Sequence, residues 1–252
     1  MTDWLLLAPT ALVVGVLIGA VGIGGVLLIP ALSAFAGLGL HEAMATALFT
    51  FIFTGITGTV LFQRHGSIDW RITVPVCAGA MFCAFLGAWM NSLARPSMLA
   101  LILASVIIFA GVYTLATWRG LPRPALQARP QAQQGLLLGI GAAAGFGSGL
   151  TGVGGPALSV PMMVLFGFPV LASIATSQVI QIIAAASGTL GNLQFGTINF
   201  GVAGVVTVLE IAGVFLGTRI VHAINADTLR KFVAVLCIVV GAYLIVRTLG
   251  WS

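Results

Sequence analysis

Charge is what this chain has least of. Only 6% of its 252 residues are Asp, Glu, Lys or Arg, while 60% are hydrophobic. A soluble domain carries roughly 25% charged residues, so a water-facing surface on all sides is excluded and the chain reads as an integral membrane protein. From Pro130 to Leu209 there is no charged side chain at all. Backbone groups at that depth must be satisfied within the chain, which leaves helices or a closed barrel. Barrel strands alternate apolar and polar residues; the run Leu99 to Phe109 does not. The expected class is therefore an all-α polytopic membrane protein.

Chemistry-bearing residues are equally scarce. The three cysteines, Cys77, Cys83 and Cys237, fall in apolar stretches at spacings that match no metal or redox motif, and read as small core residues. His41, His65 and His222 stand at the ends of apolar stretches without metal-ligand spacing, and no His-Glu-x-x-His, Gly-x-Ser-x-Gly or phosphate-loop pattern occurs. No metal, no cofactor and no enzymatic reaction is expected. The formal charge of +5 comes from arginines scattered over connecting loops, which fits membrane topology rather than nucleic acid. Met1-Thr-Asp-Trp4 lacks a basic leader and reads as mature sequence.

What the chain has in abundance is glycine, and the glycines repeat. Gly22-Ile-Gly-Gly25 returns 130 residues later as Gly152-Val-Gly-Gly155. On the same offset Gly19 pairs with Gly149, Ala45-Thr46 with Ala175-Thr176, Gly58-Thr59 with Gly188-Thr189, Phe85-Leu-Gly87 with Phe215-Leu-Gly217, and Gly111-x-Tyr113 with Gly241-x-Tyr243. One offset across the chain indicates a duplicated unit: membrane repeat 1 over 1–118, a linker over 119–134, and membrane repeat 2 over 135–252. The linker, with its prolines, arginines and glutamines, is expected in the cytoplasm.

Each repeat opens on an overlong apolar stretch. Trp4 to Leu40 is 37 residues; as one helix it would reach ~55 Å against a hydrocarbon core of ~30 Å. It must break, and the glycines mark the place, as they do in Gly135 to Phe168. Each stretch is either one interrupted pass or a hairpin of two short legs. Three ordinary spans follow in each repeat, near 44–62, 72–90 and 98–117, then 174–192, 201–220 and 229–248. Loop charge discriminates. Single passes divide Lys and Arg six against four; hairpins invert the repeats and divide them eight against two, with only Arg95 and Arg247 on the poor side. The positive-inside rule favours inverted repeats.

Candidate binding residues follow from this frame. Gly22, Gly24 and Gly25, with Gly152, Gly154 and Gly155, would let backbone N–H groups at two helix starts face an anion; the alternative is close helix packing. Thr46, Thr50, Thr54 and Thr57 share a helix face, answered in the second repeat by Thr176, Ser177, Gln178 and Gln181. These side chains are candidates to hold a small anion or to hydrogen-bond between helices. Glu210, the one carboxylate well inside a span, is a candidate for proton coupling or for a structural pair with Arg219 or Arg64.

The stretch Gly19-Ala-Val-Gly-Ile-Gly-Gly-Val-Leu-Leu-Ile-Pro30 resembles the first signature of the sulfite exporter TauE/SafE family. Ala45-Thr46, the loop Arg64-His-Gly-Ser-Ile-Asp-Trp70, and Gly149-Leu-Thr-Gly-Val-Gly-Gly155 with Pro161 fit the same pattern in the same order. Two departures stand out. The first cluster lacks the third consecutive glycine of many relatives, and Pro156 takes that place in the second. The resemblance implies a multi-pass secondary transporter of sulfur-containing anions, sulfite or a small organosulfonate, in a prokaryotic cytoplasmic (inner) membrane. Its partners would be that anion and membrane lipid, without nucleic acid, and a homodimer is allowed. A glycine-hairpin anion channel is the alternative.

Overall fold

A computed structural model describes residues 3–22, 24–116, 125–126, 129–195 and 197–223, and beyond these only 228, 231, 234–235, 238–239, 241–242 and 245–246. Among the described residues nine helices are defined: α1 Trp4–Val21, α2 Gly25–Phe35, α3 Leu40–Arg64, α4 Trp70–Leu93, α5 Pro96–Ala116, α6 Pro130–Thr151, α7 Pro156–Leu165, α8 Val170–Phe195 and α9 Phe200–Ala223. No strand occurs among the described residues. Among the described residues five helices, α1, α3, α4, α8 and α9, are long and apolar enough to cross a membrane. Most of the expected last span, 229–248, with Arg230, Cys237, Tyr243 and Arg247, lies outside the described residues, as do Arg119 and Arg123 of the linker.

Both glycine clusters break a helix. Gly22 and Gly152 close α1 and α6 at φ +79° and +70°, a left-handed turn that costs glycine nothing and other residues strain. Each broken segment then returns to the face it started from. The Asp3 N–H donates to the Phe35 carbonyl at 2.7 Å, placing the start of α1 beside the end of α2. In the second segment the Ala125 N–H donates to the Phe166 carbonyl at 2.7 Å, and Gln133 Nε2 donates to the Ala125 carbonyl at 3.2 Å. The two segments are hairpins, but not of two short legs. The outgoing helices have 18 and 22 residues and the returning ones 11 and 10. A Cβ on Gly24 would run into the Val14 carbonyl and Ile18, so the chain folds back about two turns below the tip and needs fewer residues to come home.

Helix α6 begins at Pro130, with proline at its first position, and so takes up 130–134 of the segment read as linker. Proline suits that place because the N–H it lacks would be unbonded anyway.

The ends of the long helices fix their directions. His41 Nε2 lies 3.1 Å from the Asn91 carbonyl and 3.3 Å from that of Ala94, joining the start of α3 to the end of α4. The Asn199 N–H donates to Thr46 Oγ1 at 3.1 Å, joining the starts of α3 and α9. Thr176 Oγ1 and Thr73 Oγ1 meet at 2.9 Å, joining the starts of α8 and α4. The first hairpin therefore opens on the face where α3 begins and the second on the opposite face. Arg64, Arg71 and Arg129 stand on the second face, with Arg95 on the first.

The core lies where α3 and α8 cross, the two most buried of the membrane-length helices. Around it α1 packs along α9, and α6 along α4, at glycine contacts too close for any side chain. Gly15 faces the backbone of Glu210, and Gly145 that of Ala80; Gly19 faces Val214, and Gly149 faces Ala84. Gly58 meets the side chain of Gln178, and Gly188 that of Leu48. In every pair, adding 130 to one partner and subtracting it from the other gives the second contact. Small residues let backbones approach, which is how helices associate where lipid removes the hydrophobic drive.

Candidate functional site

Two hairpins from opposite faces bring their tips together in the interior. A Cβ on Gly22 would lie 2.9 Å from Ser177 Oγ and 3.1 Å from Pro156 Cβ. One on Gly25 would collide with the Val153 carbonyl and the Phe51 ring, and one on Gly152 with Met44. A Cβ on Gly24 would meet Val14 and Ile18 of its own hairpin and one on Gly155 the Ile180 side chain, so that all the tip glycines but Gly154 serve close packing. Helices α2 and α7 both start here, and the first turn of a helix leaves N–H groups without an intrahelical acceptor. In α2 the ladder starts with Leu27 N–H on the Gly24 carbonyl, and in α7 with Leu158 and Ser159 N–H on that of Gly155. Pro156 withholds one donor from the second tip.

The polar side chains singled out in the sequence surround these tips, and most of their protons are already spent. Thr46, Thr176, Ser177, Gln178 and Gln181 are all buried. Gln178 Nε2 donates to the Ile18 carbonyl in the last turn of α1 at 3.1 Å. Gln181 Nε2 donates to the Phe51 carbonyl at 3.2 Å and to Thr54 Oγ1 at 2.8 Å. Ser177 Oγ donates to the Ile174 carbonyl at 2.7 Å. Thr73 Oγ1 gives its proton to the Asp69 carbonyl at 2.8 Å, so in the Thr73–Thr176 pair Thr176 is the donor. The two glutamines thus fasten α8 to α1 and α3 in this conformation. Thr46, which accepts from Asn199, keeps its own proton.

Other buried polar atoms have no partner among the described residues. Ser148 Oγ, Ser159 Oγ, Gln178 Oε1, Thr207 Oγ1 and both oxygens of Glu210 are in this state. Ser148 sits one turn before the second tip and Ser159 in the first turn of α7. Sequence reading passed over both because serine in a membrane helix is common. A usable signal was present in the repeat, where their mates are Ile18 and Ile29.

Glu210 is 0% exposed, at the middle of α9. Its backbone lies against Gly15 of α1 and its side chain beside the Thr50 hydroxyl of α3. That hydroxyl itself donates to the Ala47 carbonyl at 2.9 Å. The structural pair with Arg219 or Arg64 is not made here, since neither carboxyl oxygen has a partner. An unpaired ionised carboxylate at this depth would be costly. Cys77 and Cys83 are free thiols, and no cluster of His, Cys, Asp or Glu suited to a metal occurs among the described residues.

No solved structure matches the chain. Its similarities are to sequences that align with it nearly end to end. The probable membrane transporter protein YunE of Bacillus subtilis is 24% identical, with 96% of this chain and 97% of that protein aligned. YdhB, a probable membrane transporter protein of the same organism, is 24% identical over 92% and 96% of the two chains. A probable membrane transporter protein of Methanocaldococcus jannaschii is 22% identical over 96% and 97%. The family model described as Sulfite exporter TauE/SafE matches residues 7–244. With its broken helices and its interior of apolar, hydroxyl and amide side chains around a single buried carboxylate among the described residues, this multi-pass membrane protein belongs to the sulfite exporter TauE/SafE family of membrane transporters.

Proposed function

We propose that the chain is a secondary transporter of a small sulfur-containing anion, sulfite or a small organosulfonate. It is built as two inverted repeats, 1–118 and 135–252, that rock against one another about the anion. One observation carries this reading: two glycine tips, reaching in from opposite faces, meet where α2 and α7 start. Backbone N–H groups and two helix N-termini offer partial positive charge to an anion without burying a cation. The anion sits at the tips, framed by Thr46, Thr176, Ser177, Gln178 and Gln181, and Glu210 carries the coupled proton. The family description supplies sulfur; the tips supply only the sign and size of the ligand.

Uptake of radiolabelled sulfite and organosulfonates into proteoliposomes, with and without an imposed proton gradient, tests the reading. Saturable flux with counterflow and a proton dependence is expected. Flux without counterflow would make the protein a channel, and no flux of any sulfur anion would remove the substrate assignment.

A further inference from the structure

Two seams follow the same course with different chemistry. Helices α3 and α9 start together on the arginine-poor face and run inward side by side, as α8 and α4 do from the arginine-rich face. Along the first seam polar side chains continue from the surface to mid-depth. Half-buried Glu42 and Asn199 stand at its mouth, where Asn199 Nδ2 donates to Glu42 Oε1 at 3.4 Å. Thr46 and Thr50 follow on α3, and Thr207 and Glu210 on α9, all buried. Thr46 accepts from the Asn199 N–H, and Thr50 stands beside Glu210. Thr207 Oγ1 and both Glu210 oxygens have no partner among the described residues.

On the 130-residue offset the counterparts of Glu42, Thr50, Thr207 and Glu210 are Ala172, Ile180, Cys77 and Ala80, so at those places the second seam has no carboxyl and no hydroxyl. It is also bolted. Thr176 meets Thr73 at 2.9 Å, and Ser187 Oγ donates to the Met81 carbonyl. Neither bolt exists in the first seam, where Ala203 is the counterpart of Thr73 and Thr57 bonds back to the Phe53 carbonyl.

Room for water around Glu210 is set by its neighbours. Gly15 and Gly19 bring α1 against the α9 backbone at Glu210 and Val214 too closely for any side chain. The carboxyl lies on the other side, toward Thr50 of α3. Helix α1 carries no titratable residue, and those of α3, His41, Glu42 and Arg64, stand at its ends; in α9, Arg219 and His222 lie two turns or more beyond Glu210. Nothing charged therefore separates Glu42 from Glu210 along the seam. An interior water takes roughly three polar partners, and these hydroxyls offer them at intervals of about one turn.

We infer that the seam between α3 and α9 is the route by which a proton reaches Glu210 from the arginine-poor face. In this conformation the seam is shut. As the two helices part, water enters past Glu42 and Asn199 and is held by the Thr46, Thr50 and Thr207 hydroxyls. A hydronium drawn to the mouth by Glu42 yields its proton through that water to the Glu210 carboxylate, leaving water and a neutral carboxyl. The inference rests on the reading of Glu210 as the proton carrier, and adds the face of entry and the residues that line it.

Thiol labelling tests the route without reference to any anion. Thr207→Cys, in a chain freed of its native cysteines, is compared with a chain that keeps only Cys77, its counterpart in the bolted seam. The two positions are equally closed here, at 9% and 6% exposure. The probe is 2-aminoethyl methanethiosulfonate, with free cysteine as scavenger on the far side of the membrane. Added to the arginine-poor face, it should modify Thr207→Cys at least tenfold faster than Cys77, and added to the arginine-rich face it should not. In proteoliposomes Thr207→Val and Glu42→Gln should each lower proton-driven uptake at least threefold at an unchanged thermal midpoint. Thr207→Ser should restore it, and Cys77→Val should leave it at the wild-type level. Equal slow labelling of both thiols, or faster labelling from the arginine-rich face, overturns the route and leaves the transporter reading standing. So does full proton-driven uptake by Thr207→Val and Glu42→Gln where Glu210→Gln has lost it, since Glu210 would then be fed from elsewhere. Full proton-driven uptake by Glu210→Gln removes the proton carrier itself, and this route with it.

Discussion

Gly15 presses its bare Cα against the backbone of Glu210, so that α1 and α9 touch main chain to main chain at the depth of the carboxylate in the middle of α9. A Cβ at Gly15 would overlap the Glu210 carbonyl, and backbone has no rotamer through which to yield. Gly145 stands in the same relation to Ala80. Gly15→Leu and Gly145→Leu should each cost at least the ~1–3 kcal/mol of an overpacked core, seen as a lower thermal midpoint in detergent. Gly139, exposed on α6 with nothing within 4 Å of a built Cβ, is the control. Gly139→Ala should hold or raise the midpoint.

The return of the first hairpin has a direct check in chemical labelling. With the three native cysteines removed, single cysteines at Asp3 and at Phe35 should react with an impermeant thiol reagent from the same side of the membrane. A cysteine at Ser67, between α3 and α4, should react from the other. Labelling of positions 3 and 35 from opposite sides would mean that the segment crosses once.

The hairpins show how far the sequence could be read. The overlong stretch with glycines in its middle was enough to place both breaks, and loop charge was enough to prefer return over passage. What the residues could not give was the inequality of the legs, because it depends on where Gly24 docks against Val14 and Ile18, a contact between two stretches that are both uniformly apolar. The candidate site was legible in membership and not in roles. Gln178 and Gln181 stood out as the largest neutral hydrogen-bonders in an uncharged stretch. Nothing local said that their partners were the Ile18 and Phe51 carbonyls, 160 and 130 residues away. Ser148 and Ser159 were missed for the opposite reason, since hydroxyls on membrane helices usually bond back to their own helix, as Thr57 and Ser105 do, and these two do not.

Gln178 tests whether α8 holds the first tip or touches the anion. Its amide donates to the Ile18 carbonyl, which also accepts from the Gly22 N–H at 3.0 Å. Gln178→Leu therefore removes one of two bonds to that carbonyl along with an unpartnered Oε1. The net loss should be within the ~0.5–1.5 kcal/mol of one hydrogen bond. Anion affinity should stay within threefold of wild type, while turnover falls because the tip is less firmly held. A tenfold loss of affinity at unchanged thermal midpoint would return the amide to the ligand.

Glu210 gives a prediction in flux. A buried carboxyl with no counter-ion among the described residues can exchange a proton whenever rocking opens it to water. Glu210→Gln keeps the shape and removes the exchange. Uptake driven by a proton gradient should fall to its level without one, while anion binding and counterflow persist. Full proton-driven uptake by the variant would leave Glu210 a structural residue.

The tip glycines divide into those that fold the protein and one suited to testing the anion site. Gly24, Gly25 and Gly152 are closed in by backbone: a Cβ there would meet the Val14 carbonyl, the Val153 carbonyl and Met44 respectively. Substituting them should lower yield and midpoint before any binding can be measured. Gly154 differs. Its φ of +87° carries strain for any other residue, of the order of 1–3 kcal/mol, but a Cβ there meets only the Phe51 ring at 3.3 and 3.6 Å and Pro156 Cδ at 3.6 Å. An aromatic edge can shift by a few tenths of an ångström, so Gly154→Ala should fold, with a midpoint lowered by that strain. An anion held by N–H groups must lie within about 3 Å of them, and a methyl at the tip takes part of that space. Gly154→Ala should therefore lose at least tenfold in anion affinity, whereas Gly188→Ala, whose nearest neighbour is the movable end of Leu48 at 3.2 Å, should lose none. Equal affinities in the two variants would mean that the tips meet only to pack, and the anion would have to be sought at the hydroxyls of Thr46, Ser148 and Ser159.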